Sequence, residues 1–114
     1  MILLKITFIE PNRNAVSIDD FYYRGYQDQL KNPQGTGVRA LVKQMISDKK
    51  ILCRNIFLSD NGNKLEVLTV FADENALNEF LNHELVLYSN QLWQNRSWHK
   101  TREIFNLDDY KLLS

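Results

Sequence analysis

A chain of 114 residues fits one domain, residues 1–114, built around one core, since a domain of this size buries roughly two thirds of the surface its unfolded chain exposes. Fourteen basic and fourteen acidic side chains cancel, so no net field steers the chain toward nucleic acid or an anionic membrane, and neither is expected as a partner. The single cysteine, Cys53, excludes an intrachain disulfide and a cysteine-cluster metal site, and suits a reducing compartment.

Residues 2 to 9 place Ile2, Leu4, Ile6 and Phe8 on one side of a strand and the more mixed Leu3, Lys5, Thr7 and Ile9 on the other. No apolar run approaches the roughly 20 residues that span a bilayer. The opening MILLKITFIE also lacks the positive n-region and small-residue cleavage site of a signal peptide, so a cytoplasmic location is expected. Ser17, with Asp20 three residues on, reads as the N-cap of a helix carrying Ile18, Phe21, Tyr22, Tyr26 and Leu30. KNPQGTG, residues 31–37, interrupts it, because Pro33 disfavours helical geometry at Asn32 and two glycines free the backbone. Val38, Leu41, Val42, Met45 and Ile46 then form the apolar stripe of an amphipathic helix.

Two strands follow near 50–59 and 64–72, joined by Asn61-Gly62, the pair that a type I′ hairpin turn favours. Asp73 is placed to cap a long helix near 74–96, with Glu74 in its first turn and Leu77, Phe80, Leu81, Leu85, Tyr88 and Leu92 as its inward stripe. WHKTREIFN, from Trp98, makes a weaker last strand over 98–106. The order βαββαβ is the α+β, ferredoxin-like plan, an antiparallel four-stranded sheet with both helices on one face.

Counting outward from the turn pairs Leu58 with Leu65, Ile56 with Val67, Arg54 with Thr69 and Leu52 with Phe71. Cys53, Asn55, Phe57, Glu66, Leu68 and Val70 take the opposite face. Both faces are largely apolar, whereas a sheet with one wet face alternates apolar and polar residues. Leaving four large side chains in water would forgo on the order of 1.5–3 kcal/mol each. A second copy of the chain is the expected cover, and a lone chain is expected to leave Val67 and Ile56 touching water.

KLEVLTVFADENALNEFLNHELVLYSN, residues 64–90, resembles the third strand and second helix of the antibiotic-biosynthesis-monooxygenase-like dimeric α/β-barrel superfamily. There a strand of the form hxhhTxW/F precedes a polar turn and an Ahxxahh helix. The resemblance implies a homodimeric barrel, closed face to face by two sheets, with a pocket between the sheet and helices of each subunit. Some members of that superfamily are cofactor-independent monooxygenases of polyketide-like aromatics, and some degrade haem. The haem-degrading branch uses an Asn on strand one, a Trp ending strand three and a His on the second helix. The matching positions here are Thr7, Phe71 and Ser89, which supply no iron ligand, although His83 lies nearby.

Arg54 stands out, because a guanidinium on an apolar face must find a carboxylate, carbonyls or an anionic ligand. Its structural alternatives are an ion pair, with Glu103 or with an acid of a partner chain, or an exposed strand end. His99 could serve as a base on an acidic substrate proton, or be a plain surface histidine. His83 falls on the polar side of the long helix, where it reads as solvated. Trp93, Trp98, Tyr22, Tyr23 and Tyr26 could line an aromatic pocket, or serve as core and dimer contacts.

QGTGVRA, residues 34–40, puts Asn32 where an acetyltransferase phosphate loop needs Gln or Arg, and reads as an interhelical loop. No Ser/His/Asp set, metal-ligand spacing or Walker loop occurs, and KLEVLTVF lacks the basic, glycine-aromatic signature of an RNA-recognition strand. The expected function is binding of a small apolar or aromatic molecule, with Thr7, Arg54, Thr69 and Phe71 lining the site and no cofactor. If the chain is catalytic, the expected reaction is cofactor-independent oxygenation or isomerisation, with Arg54 orienting an anionic or carbonyl oxygen and His99 as base. The alternative is a non-catalytic homodimeric interaction or ligand-sensing module.

Overall fold

The computed structural model describes residues 1–9, 38–59, 64–94 and 99–113. The helix expected after Ser17, the 31–37 interruption, the Asn61-Gly62 turn and Trp98 lie outside them. The described elements are β1 (Ile2–Ile9), α1 (Val38–Ser47), β2 (Ile51–Leu58), β3 (Lys64–Phe71), α2 (Glu74–Leu81), α3 (Glu84–Gln94) and β4 (His99–Asn106). The strands form one antiparallel sheet in the order β2-β3-β1-β4. Within one chain the sheet is open, with β2 and β4 as its edges.

The register decides which face the helices cover. Ile2, Leu4, Ile6 and Phe8 of β1 stand opposite Phe71, Thr69, Val67 and Leu65 of β3, and directly opposed residues point to the same side. Leu4, Phe71 and Ile51 pack with Val42 and Met45 of α1, Ala76, Leu77 and Phe80 of α2, and Val86 of α3. Phe71 is fully buried, its ring 5.4 Å from that of Phe80. A second cluster of Phe8, Leu65 and Val67 lies further along the same face, and Ile6 touches both clusters.

Two expectations change here. Val67 is only 7% exposed within a single chain, so its burial needs no partner; it sits on the helix-covered face. Ile51, not Leu52, pairs with Phe71, because an extra residue bulges β2 between Ile51 and Cys53. The bulge turns Ile51 into the core and leaves Leu52 exposed. The other three hairpin pairs hold as counted.

The outer face carries Leu3, Lys5, Thr7 and Ile9 of β1, alternate residues of β3 from Lys64 to Val70, and Cys53, Asn55 and Phe57 of β2. Phe57 is 57% exposed there, and Phe105 of β4 and Ile9 are exposed as well. Lys5 and Lys64 lie 3.9 and 3.4 Å from the Glu66 carboxylate, so these two cations on the face share one acid. None of the described helices covers it.

Local chemistry sets the helix ends. The backbone N–H of Lys50 donates to the Met45 carbonyl at 2.8 Å and that of Lys49 to Ile46 at 3.0 Å, closing α1 in a Schellman turn. Lys49 takes the left-handed position, φ 60°, that glycine usually fills. Asp73 caps α2 as expected, its carboxylate accepting from the Ala76 N–H at 2.8 Å. The long helix expected over 74–96 is two helices broken at Asn82-His83. The Asn82 N–H is shared by the Asn78 and Phe80 carbonyls, and its side-chain amide donates to the Asn78 carbonyl at 2.9 Å.

His83 then starts α3. Its ring Nδ1 accepts from the Leu85 N–H at 3.1 Å, and its carbonyl accepts from Val86 and Leu87. It is a half-buried N-cap and not a solvated surface residue. The break also shifts the helical phase. Val86 enters the core, while Tyr88, expected inward, is 61% exposed.

Candidate functional site

The helix-covered face of the sheet is a row-by-row construction. Arg54, Thr69, Leu4 and Ile104 form one row across the four strands; Ile56, Val67, Ile6 and Arg102 form the next; Leu65, Phe8 and Lys100 share the third. Hydrophobic burial fixes the middle strands, with Leu4, Phe8, Leu65, Val67 and Thr69 all buried. Basic groups occupy the outer strands on either side. Arg54 is half-buried with its Nε shielded from solvent, while Lys100 and Arg102 lie on the exposed edge strand β4.

Of the residues singled out in the sequence, Arg54, Thr69 and Phe71 share this face and Thr7 and His99 do not. Thr7 is buried on the outer face between Glu66 and Thr101. His99 pairs with Ile9 at the exposed end of that same face, with no acid bonded to it among the described residues. Glu103, considered as a partner for Arg54, lies on the outer face opposite Lys5, three strands away. Ser89 falls within α3, and the side chain of Trp93, like Tyr22, Tyr23, Tyr26 and Trp98 altogether, is outside the described set. The Nδ1 of His83 is occupied in capping α3.

The strand positions that sequence reasoning passed over are Lys100 and Arg102. The Lys100 ammonium lies over the Phe8 ring, 5.7 Å from its centroid, and donates to the side-chain carbonyl of Asn90 on α3. Partial desolvation, with Arg102 as the smaller cause, holds Lys100 below the usual lysine range. The alternation in HKTREIFN carries the signal, since Lys100, Arg102 and Ile104 are two apart. The face thus sets buried apolar and hydroxyl side chains on the middle strands between cationic groups on the two edge strands. Among the described residues, no group of three metal-ligating side chains converges and no helix is long and apolar enough to cross a membrane.

No family model matches the sequence, and no curated protein matches it. Solved structures do. A Deinococcus radiodurans protein, a candidate antibiotic biosynthesis monooxygenase, superposes with a TM-score of 0.64 at 7% identity, over 100% of this chain and 99% of its own. SnoaB, a cofactor-independent oxygenase from Streptomyces nogalater, superposes with a TM-score of 0.60 at 11% identity, over 92% of this chain and 90% of its own. At3g17210 from Arabidopsis thaliana gives 0.55 at 13% identity, over 96% of this chain and 99% of its own. Strand order, helix placement and these superpositions agree: the chain has the ferredoxin-like fold of the antibiotic-biosynthesis-monooxygenase-like proteins.

Proposed function

We propose that the chain is a homodimer, joined through the outer faces of its sheets, that binds an apolar or aromatic small molecule on the helix-covered face and oxygenates it without a cofactor. The observation that carries this reading is Arg54, a half-buried guanidinium beside the buried Thr69 on an otherwise apolar floor, in a fold shared with a cofactor-independent oxygenase. A guanidinium there would stabilise an enolate oxygen as the adjacent carbon gives up its proton to solvent water and reacts with dioxygen. The outer-face position of His99 keeps it away from that floor, so this reading gives it no part in the proton transfer. The outer face supplies the dimer contact through Phe57, Leu68 and Leu3, apolar residues with no described helix over them.

A test uses anthrone, an enolisable tricyclic ketone, with no flavin or metal added. Oxidation of its methylene to a carbonyl consumes one dioxygen, placing one oxygen atom in the anthraquinone product and the other in water. The reading expects enzyme-dependent oxygen uptake, reduced at least about tenfold by Arg54→Gln, the loss of one charge-assisted contact. Uptake equal to buffer alone refutes the oxygenase activity.

A second reading, a ligand-sensing dimer without catalysis, is favoured by one observation. Among the described strand residues no His, Asp or Glu shares the face with Arg54. Anthrone binding without oxygen uptake would select it.

A further inference from the structure

The segment that follows β4 leaves the sheet with apolar side chains uncovered. Leu107 extends the ladder by one bond, its N–H donating to the Met1 carbonyl at 2.9 Å, and a turn closed by the Tyr110 N–H on the Leu107 carbonyl at 3.0 Å then redirects the chain. Beyond the turn, Lys111, Leu112 and Leu113 make no hydrogen bond among the described residues. Tyr110 and Leu112 are exposed, and Leu113 is 87% exposed. Large apolar side chains grouped in so short a stretch are unfavourable in water, and a surface that covered them would stabilise the segment.

A matching surface lies at the corner where α1 meets β2. Ile46 and Leu52 are exposed there, Leu52 because of the bulge in β2. The charges are complementary as well. The corner carries Lys43, Lys49 and Lys50 against Asp48 and Glu79, with Lys50 bonded to Glu79 and Asp48 to Gln44, whereas the segment carries Asp108 and Asp109 against Lys111. Within one chain the two are kept apart, because β4 and β2 are opposite edges of the sheet. Between two copies they can meet. Ile2 stands opposite both Phe71 and Asn106, and Phe71 opposite Ile51, so the end of β4 and the start of β2 lie at the same end of the sheet. Two sheets joined outer face to outer face by a two-fold axis along the strands keep like ends together and reverse the lateral order, which sets β4 of one copy over β2 of the other. Packed sheets lie about 10 Å apart, well within the roughly 20 Å that residues 107–113 can span.

We propose that residues 107–113 form an arm that docks on the α1–β2 corner of a second copy, with Tyr110, Leu112 and Leu113 against Ile46 and Leu52, and with Asp109 beside Lys49. The arm rests on the reading of the chain as an outer-face homodimer, and it fixes the symmetry of that dimer. A two-fold axis across the strands would instead place β4 over β4 with opposite ends together, away from the corner.

The test measures the dimer dissociation constant by analytical ultracentrifugation and reads the contact by cross-linking. Leu112→Ser combined with Leu113→Ser, at two exposed positions, is expected to weaken the dimer at least about tenfold with the far-ultraviolet circular dichroism unchanged. In a Cys53→Ser background, Ser47→Cys and Asp109→Cys proteins, both substituted at exposed positions, are mixed, equilibrated and treated with a short bis-maleimide. A covalent dimer containing one copy of each is expected. An unaltered dissociation constant, or a dimer that yields no such mixed product, overturns the arm and leaves the outer-face dimer standing. Unsubstituted protein that sediments as single chains at micromolar concentration overturns both readings together.

Discussion

Lys49 gives a direct test of how α1 is terminated. Its φ of 60° places an L-residue in the left-handed region, where contact between Cβ and the carbonyl costs about 1–2 kcal/mol relative to glycine. The Schellman bonds from Lys49 and Lys50 hold it there. Lys49→Gly removes the clash but enlarges the freedom of the unfolded chain, which offsets about 0.4–1 kcal/mol. The net expectation is a gain of about 0.5–1 kcal/mol, or about 2–4 °C in Tm for a domain of this size. Lys49→Ala keeps the Cβ and is expected to change little, whereas the β-branched Lys49→Val should destabilise. Urea unfolding of the three variants with a common m value is the assay. If Gly and Ala behave alike, the chain does not end α1 in a left-handed residue and the reasoning is refuted.

His83→Ala should cost about 0.5–1 kcal/mol by removing the ring acceptor for the Leu85 N–H, while His83→Asn should retain most of the stability; thermal melts of both distinguish a cap from a solvated side chain. Lys50 pairs with Glu79 at 3.0 Å, and that hydrogen bond raises its pKa from 10.5. A raised pKa means that its stabilisation is fully present below about pH 10.5 and lost as pH rises through the higher folded value. The stability difference between the unsubstituted protein and Lys50→Gln should therefore hold level from neutral pH to about pH 10 and shrink above it. A difference that grows with alkaline pH would contradict the sign.

How much of this could be read from residues alone follows from where the chain provides a fixed reference point. Asn61-Gly62 fixes the phase of the hairpin, so Arg54–Thr69 and Ile56–Val67 could be counted outward from it. The count fails only at Leu52, because a bulge is a local slip that alternation does not announce. β4 has no such reference. It follows a helix, so only its pairing with β1 shows that Lys100 and Arg102 join the face of Arg54 and that His99 and Glu103 do not.

Both faces are largely apolar in sequence, and the β1–β3 register together with the helix contacts distinguishes them. The break at Asn82-His83 was masked because Leu77, Leu81 and Leu85 keep helical spacing straight across it. The competing signal was present: Asn and His are weak helix formers that readily serve as caps.

In the proposed homodimer the outer face, with Phe57 at its exposed edge, is covered by a second copy of the chain. Burying the exposed part of Phe57, 57% of its surface, would contribute about 1–2 kcal/mol per protomer. Native mass spectrometry of the purified protein at micromolar concentration measures this most directly. A homodimer gives a particle of twice 13.5 kDa, converted to single chains by Phe57→Asp with no loss of helical signal. A folded species of 13.5 kDa from the unsubstituted protein would contradict it.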